Sequence, residues 1–482
     1  MSLKKRVKVS ALTLLIVFAE LTAPASKIFR ARAQATERQT EQQMECLKTA
    51  AAGVVDSTGD YKYAILQDGT AKIVKYLKEE GAVKIPAALD GHPVTAIGKA
   101  FAGKSLVTSI EIPDTVTVIG SESFYGTGIK EVTIPEAVVR IGDFAFGHCL
   151  NLERLFIPQN VREIGGNIVQ ISDNLKEIEV DSRNAAYKSV DGVLYNKDVT
   201  ELLAMPGGKD MAGFRFPESV ERIGRYAFYL CEHASFTELV IPDRVTTIES
   251  AAFFLCRNLK RVVMGENVTE IGVGAFSGCG SLCEVILNEK LKVIGKHAFY
   301  DCYDLIKINI PDGVTEIGEC AFIHCGNLKN ITIPKSVAKI GRYALAYSED
   351  GTPYEDVCIT GYKDTAAHRY AKKYCVAFQN AETGKVTRYD WIPVPKGKIK
   401  KLTAGAKKIK LACQAVEGAS YRVAVKKAGA AGWKKYDMPK ASAVIKGLAS
   451  GKQYKVRVRA LRKIEGKYYY GKWSNVKKIK VR

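Results

Sequence analysis

A chain of 482 residues, 47% of them hydrophobic, is long enough for more than one domain and apolar enough to bury full cores, which excludes a globally disordered protein. Its net charge of +21 is concentrated near the C-terminus, where residues 396–482 carry 26 lysines and arginines against three acidic residues, whereas the rest of the chain carries a net charge of −2. This asymmetry predicts a near-neutral body and a basic tail, which favours an anionic partner or serves solubility alone.

The N-terminus has the pattern of a secretory signal peptide over residues 1–35. Lys4, Lys5 and Arg6 precede a short apolar core, and small residues at alternate positions follow near residue 33. The apolar core is shorter than the roughly 20 residues that span a bilayer. We therefore expect a secreted, extracellular or cell-surface protein. Residues 36–80 are predicted to hold an N-terminal segment and a capping hairpin, since Asp68-Gly69 separates two alternating runs.

The middle of the chain repeats itself. The pair Ile-Gly, or a near variant, recurs at intervals of 22–25 residues with one longer gap of 59, beginning at Ile97, Ile119, Ile141, Ile164, Ile223, Ile248, Ile271, Ile294, Ile317 and Ile340. A fixed period in the twenties indicates a solenoid, in which each repeat is one rung that buries its apolar face against its neighbours. Such folds present a long surface, which weakens the case for an enzyme.

Each rung has a predicted internal layout, illustrated by residues 305–327. Alternating apolar residues predict a short strand, which Pro311 ends because it has no N–H for a sheet. Gly318 permits a tight bend, and Ala321 with Phe322 is expected to fill the interior from a short helical turn. Stacked in register, the strands would form a parallel sheet.

The pattern Leu-x-x-Ile-x-Ile-Pro-x-x-Val-x-x-Ile-Gly-x-x-Ala-Phe-x-x-Cys resembles the BspA-like, or Treponema pallidum-type, leucine-rich repeat over about residues 81–345. The resemblance implies a leucine-rich-repeat solenoid over 81–378 and a role in adhesion or interaction, without a specific ligand. An insert at about 181–215 fills the long gap, and Asp191-Gly192 within it predicts a hairpin. A helix over Thr365–Tyr374 is expected to cap the end.

After a predicted linker at 379–395, the tail over 396–482 changes character. Runs such as Tyr454 to Ala460 alternate inward and outward residues, as in a β-sandwich. This stretch resembles a fibronectin type III domain, with Tyr454 as its corner tyrosine and Cys413 where a core Trp is usual. The predicted fold is therefore mainly β: a solenoid of parallel strands and short helical turns, followed by an all-β sandwich.

The reactive residues do not predict an active site. Six cysteines, the column cysteines, recur at one repeat position, which favours buried free thiols over bridges: Cys149, Cys231, Cys256, Cys279, Cys302 and Cys325. Cys358 and Cys375 flank the closing helix, and the sequence leaves open whether they form a disulfide. His148 and His324 precede column cysteines, but most rungs lack the histidine, so a nucleophilic pair is not favoured. We predict no catalytic, cofactor-binding or metal-binding residues.

Candidate binding residues lie on two outward columns of the predicted sheet and in the tail. One column alternates in charge, which predicts either a self-paired ladder or part of a binding surface. The next column contains apolar residues, which mark a partner site or simply suit a strand. Aromatic residues among the tail cations suit a polyanion, although a solvated basic surface explains them equally. The candidates are Phe156, Val240, Val263, Ile286, Arg261, Glu284, Lys455, Arg457, Arg459 and Trp473.

Three functions fit these features. The first is a non-enzymatic binding or adhesion protein, whose repeats hold a protein of a host or neighbouring cell and whose tail holds an anionic wall polymer or glycan. Specific nucleic-acid binding is not expected of an exported protein. The second is a carbohydrate-binding accessory to an extracellular enzyme, which predicts a deep polar pocket near the insert. The third is a self-assembling structural protein of the envelope.

Overall fold

The computed structural model describes most of the chain, namely residues 54–231, 236–345, 356–389, 397–416, 419–430, 432–464, 467–471 and 473–482. The predicted signal peptide over 1–35 lies outside these residues. Backbone contacts divide the chain into two compact units, with the main boundary between Arg388 and Tyr389, and Lys373–Cys375 are grouped with the second unit.

The first unit begins with antiparallel strands. They are β1 (Val54–Val55), β2 (Tyr61–Ile65) and β3 (Ala71–Tyr76). β2 and β3 pair across the predicted Asp68-Gly69 turn, where the backbone N–H of Thr70 donates to Asp68 Oδ1 at 3.0 Å. A hairpin is thus present at the predicted turn.

One strand from most repeats contributes to the first side of the solenoid, here called the main face. These strands are β4 (Glu80–Lys84), β7 (Leu106–Glu111), β9 (Val132–Thr133), β11 (Arg154–Ile157), β13 (Glu177–Val180), β18 (Glu238–Val240), β20 (Arg261–Val263), β22 (Glu284–Ile286), β24 (Lys307–Ile308) and β26 (Asn330–Thr332). Paired neighbours are parallel and one repeat apart, as in the register Val240↔Val263↔Ile286. The predicted parallel stacking is confirmed.

The Ile-Gly pairs lie on a second side. Its strands are β6 (His92–Ile97), β8 (Val118–Ile119), β10 (Arg140–Ile141), β12 (Glu163–Ile164), β17 (Arg222–Ile223), β19 (Thr247–Ile248), β21 (Glu270–Ile271), β23 (Val293–Ile294), β25 (Glu316–Ile317) and β27 (Lys339–Ile340), with β5 (Ala88–Leu89) pairing antiparallel to β6. Parallel pairs again join equivalent residues, such as Ile271 and Ile294.

On the third side of the solenoid the sequence predicts short helical turns, and this prediction is wrong. The segment that carries Ala-Phe-x-x-Cys consists of turns, with left-handed backbone at residues such as Cys320 (φ 57°) and His324 (φ 61°). Alternate N–H groups bond to the next rung, as Phe299 N does to Ala321 O at 2.8 Å, whereas those between them close turns within the segment, as Tyr300 N does to His297 O at 3.1 Å. In a helix every N–H bonds to a carbonyl of the same segment. The hydrogen bonds between rungs therefore take the place of a helical turn.

The interior is a column of rings and thiols. Phe253, Phe276 and Phe299 are fully buried and stack at centroid distances of 5.0 and 5.5 Å. Beside them the Cys302 S–H donates to the carbonyl of Phe276 at 3.2 Å, and Cys279 bonds in the same way to Phe253. The column cysteines are buried free thiols, as predicted.

The insert is a three-stranded meander of β14 (Tyr187–Val190), β15 (Val193–Asn196) and β16 (Glu201–Ala204). The predicted hairpin is confirmed, since β14 and β15 are antiparallel across Asp191-Gly192. β16 then pairs in parallel with β17, which returns the chain to the second side.

The C-terminal cap holds helix α1 (Ala366–Tyr374), close to the predicted Thr365–Tyr374. It lies between β28 (Cys358–Gly361) and β29 (Ala377–Asn380), and β30 (Val386–Thr387) follows. β29 and β30 are paired, so residues 379–387 belong to the sheet and the predicted linker at 379–395 begins too early. The reason is a turn in which Asn380 Oδ1 accepts from Glu382 N at 2.8 Å. No disulfide joins Cys358 and Cys375.

The second unit contains two antiparallel sheets. The first has β31 (Ile399–Gly405), β32 (Lys408–Cys413) and β35 (Ser442–Lys446). The second has β33 (Ser420–Lys427), β34 (Lys434–Met438), β36 (Gln453–Ile464), β37 (Lys467–Tyr470) and β38 (Lys477–Lys480). Buried residues of both sheets, among them Ile409, Cys413, Val423 and Val458, form one core.

Candidate binding surface

The predicted charge column lies on the main face and is internally paired. Arg261 lies between two carboxylates of neighbouring strands, bonding to Glu284 through Nε at 2.8 Å and to Glu238 through Nη1. The carboxylates raise the pKa of the Arg261 guanidinium, mainly through these hydrogen bonds. Arg154 pairs with Glu177 at 2.8 Å in the same manner. These charges therefore help to fix strand register, and their side chains remain partly exposed.

The predicted apolar column is split in two. Val240, Val263 and Ile286 are consecutive across β18, β20 and β22, with Val240 59% and Ile286 40% exposed and Val263 half-buried. We call these three residues the apolar stripe. Phe156 is also exposed, but it lies opposite Glu179 in the separate sheet of β11 and β13. The structure thus brings together five of the predicted residues, including Arg261 and Glu284, and leaves Phe156 apart.

A cleft of about 480 Å³ opens beside the stripe. It is lined by Met211–Phe216 on one wall and by Phe236–Val240 with Pro242 on the other. The sequence predicts a pocket near the insert only for the carbohydrate-binding alternative, and its patterns do not single out these lining residues. The available signal was Phe214-Arg215-Phe216-Pro217, which occupies the strand position of its repeat with aromatic residues in place of Leu or Ile.

The predicted tail residues share one face of the five-stranded sheet. The Arg457 guanidinium lies 4.3 Å from the Trp433 ring centre and 4.5 Å from that of Trp473, and Arg459 lies 4.6 Å from Trp473. Lys455 is exposed between Lys426 and Lys478 of the adjoining strands. Like charges placed side by side repel, so this row gains stability when an anion binds.

The histidines preceding column cysteines have other partners. His324 Nδ1 bonds to Asp301 in a mostly buried pair, while the Cys325 S–H donates to the carbonyl of Phe299 at 3.1 Å. His148 stacks on Tyr125 with ring centres 5.7 Å apart. Burial raises the pKa of the Cys325 thiol, so it is a poor nucleophile near neutral pH. Within the described ranges no group of His, Cys, Asp and Glu suits a metal ion, and no helix is long and apolar enough to cross a bilayer.

Comparison with known families gave one match. The family described as BspA type leucine-rich repeat region matches in six copies over residues 95–202, 208–236 and 221–351, which together exceed half of the chain. The match covers the rungs on both sides of the insert. A comparison with curated proteins found no significant match.

Three solved structures illustrate the likeness. A leucine-rich repeat protein from Eubacterium ventriosum is 25% identical over 62% of this chain and 95% of its own, with a TM-score of 0.48. The pneumococcal vaccine antigen PcpA is 20% identical over 67% and 96%, with a TM-score of 0.42. A leucine-rich cell surface protein from Faecalibacterium prausnitzii is 24% identical over 67% and 97%, with a TM-score of 0.36. These scores are low, so the family match alone carries the assignment.

Proposed function

Because the chain belongs to the BspA type leucine-rich repeat family, we propose that it is a secreted or cell-surface binding protein without enzymatic activity. In this proposal the main face holds a protein of a host or neighbouring cell, and the tail holds an anionic wall polymer or glycan. Leucine-rich repeat proteins are generally non-enzymatic binding scaffolds, and the solenoid fold offers a long regular surface.

The apolar stripe is the observation that carries the first half of the proposal. Val240 and Ile286 expose apolar side chains on a rigid sheet, next to a charge column that is already paired. Burying such apolar area against a partner is favourable by about 25 cal/mol per Å². The paired charges can remain at the rim, so little desolvation opposes binding.

A double substitution tests the stripe. Val263→Glu with Ile286→Glu adds two carboxylates to exposed or half-buried positions, and we expect at least a fivefold fall in binding of the labelled full chain to epithelial or neighbouring bacterial cells. Thr133→Glu with Thr332→Glu is the matched control, because both residues are exposed on main-face strands, β9 and β26, outside the stripe. Equal binding by the double variant and the control would refute this half.

The second half rests on the tail, which we propose to be a fibronectin type III domain. The hydroxyl of Tyr454 accepts a hydrogen bond from Ala449 N at 2.9 Å, five residues upstream, as a tyrosine corner does. Cys413 is buried in the shared core, in agreement with its proposed replacement of a Trp. The lysine row and the Arg-Trp stack then form the proposed polyanion surface.

Retention on the native cells tests the tail. We expect high salt to strip the wild-type protein from its cells, since screening weakens exposed charge interactions. Lys455→Glu with Lys478→Glu should release it at ordinary salt. Lys401→Glu with Lys410→Glu makes the same charge change on exposed residues of the three-stranded sheet and should not. Salt-resistant retention, or equal release by both variants, would refute this half.

A further inference from the structure

We propose that the cleft beside β18 binds an extended peptide, which adds to the main face as one more strand. This inference rests on the proposed binding function and specifies a second mode of recognition. It uses the backbone of β18, whereas the apolar stripe uses outward side chains, so the two can be separated by experiment.

The main face is interrupted at the insert, and its two broken edges differ. The edge of β13 is covered, since Ile178 N donates to Gly192 O of the insert at 2.8 Å and Ser189 Oγ donates to Ile178 O at 2.6 Å. The edge of β18 is not, since β18 ends the sheet order β18-β20-β22-β24 and no described strand pairs with its other side. Proteins usually protect such an edge, because it offers backbone groups to any extended chain.

The register shows which backbone groups of β18 are available. Thr237 O accepts from Arg261 N at 3.1 Å, and Ile241 N donates to Val263 O at 2.9 Å, so the odd-numbered residues bond to β20. Backbone groups alternate in direction along a strand, and those of Glu238 and Val240 therefore point away from β20. Both residues line the cleft. An incoming strand finds there donors and acceptors that no described backbone group engages.

The opposite wall suits the side chains of an extended peptide. Phe214 and Phe216 are half-buried, with ring centres 5.1 Å apart, and both contact Phe228 beneath. Although these residues occupy the strand position of their repeat, they form no strand, which leaves the space open. The volume of about 480 Å³ lies within the range of roughly 300–1,000 Å³ typical of ligand sites.

Charge complementarity defines the occupant. The column reads Glu238, Arg261, Glu284 along successive strands, and the cation Arg261 lies between two anions. Glu238 ends this series with a side chain that is 53% exposed, so the next strand outward is expected to place Arg or Lys opposite it. Two residues later, an apolar side chain would lie beside Val240. The occupant is thus an extended protein segment with the pattern basic-x-apolar, bound by β-augmentation.

A labelled peptide provides the test. The capped sequence Asn-Leu-Lys-Arg-Val-Val-Met-Gly reproduces residues 258–265, which include β20, the strand already paired with the other edge of β18. We expect saturable binding to the full chain by fluorescence anisotropy, with a Kd below about 1 mM. No saturable binding up to that concentration would overturn the proposal.

Two variants at one position isolate the backbone contribution. Val240→Pro removes an N–H that points into the cleft and leaves the bonds between β18 and β20 intact, and edge strands tolerate such a proline. Val240→Thr keeps the N–H and the branched side chain. We expect Val240→Pro to weaken peptide binding at least tenfold and Val240→Thr to leave it within twofold. Equal affinities for a folded Val240→Pro and the wild type would overturn the proposal.

The charge pattern has its own exchange experiment. Glu238→Lys should weaken binding of the arginine-containing peptide. Replacing that arginine by glutamate in the peptide should restore binding to the variant. Failure of this exchange would refute the basic-x-apolar pattern. The stripe variant Val263→Glu with Ile286→Glu should still bind the peptide, so failure of the peptide site and failure of the proposed function give different results.

Discussion

Gly295 explains at the level of one residue why glycine follows isoleucine in almost every rung. Its N–H donates to Ile271 O at 2.8 Å, and a Cβ on residue 295 would lie 2.6 Å from that same oxygen. No side-chain rotation relieves this contact, because the obstacle is backbone. The close approach of rungs therefore favours glycine at this position, and no special φ angle is involved.

The first prediction compares two glycines. Gly295→Ala should lower the free energy of unfolding by about 1–3 kcal/mol, the usual cost of overpacking. Gly326→Ala is the control, since a Cβ there meets nothing within 4 Å. Urea titration of both variants measures the difference. Equal midpoints would contradict the explanation of the Ile-Gly pair.

The buried column cysteines predict that the free energy of unfolding depends on pH. Burial raises the pKa of the Cys149 thiol to about 11 and that of the Cys302 thiol well above its ordinary value. In the unfolded chain these thiols lose protons near pH 9, so above that pH the unfolded state binds fewer protons and stability falls. Each such thiol contributes a slope of up to about 1.4 kcal/mol per pH unit. Urea titrations between pH 8 and 10 should show the decline.

The matched control is a variant without two of these thiols. Cys302→Ala with Cys325→Ala should give a shallower decline above pH 9, although it lowers stability at neutral pH through lost packing. A slope identical to that of the wild type would contradict the role given to the buried thiols.

At the level of elements, the aromatic column couples each rung to its neighbours. Phe276→Ala removes a fully buried ring that stacks on Phe253 and Phe299, which should cost about 3–5 kcal/mol. Because rungs contact only their neighbours, we expect amide protection to fall most in rungs 253–299. Hydrogen exchange with mass spectrometry measures this. Uniform loss over residues 95–345 would indicate that the whole solenoid opens as one unit.

Sequence periodicity predicts these elements well where the rungs share the same residue pattern. The strands, the closing helix and the hairpin at Asp191-Gly192 follow from local patterns, and so does the outward direction of Val240 and Ile286. The left-handed turns at Cys320 and His324 do not follow from local patterns, because hydrogen bonds between rungs fix them. The end of the solenoid near Thr387 was also missed, since a turn at Asn380 extends the sheet beyond the last repeat.

The cleft lay beyond sequence reasoning for a related reason. A strand edge is a property of pairing, and β18 has the same local pattern as β20 and β22. What differs is the preceding rung, where Phe214 and Phe216 do not form a strand. The arginine position between Trp433 and Trp473 was likewise not predictable, because strand alternation gives the face of Arg457 but not its ring partners.

For the whole molecule, the two compact units predict two unfolding transitions. Tyr454→Phe removes the acceptor of the Ala449 N–H in a part-buried hydrogen bond, which should lower the free energy of unfolding of the tail by about 0.5–1.5 kcal/mol. Differential scanning calorimetry should show one transition shifted downward and the other unchanged. A shift of both transitions, or a single transition, would contradict independent folding of the units.

The same contacts recur from one rung to the next: a ring on a ring, a thiol on a carbonyl, a glycine beneath a backbone oxygen. A duplicated rung therefore meets neighbours that already fit it on both sides. Unequal recombination within the gene can lengthen or shorten such a solenoid by whole rungs without a new core having to evolve. The two caps and the edge at β18 do not share this freedom, because each occurs at one place in the order, so copy number changes the reach of the surface while these fixed points keep their chemistry.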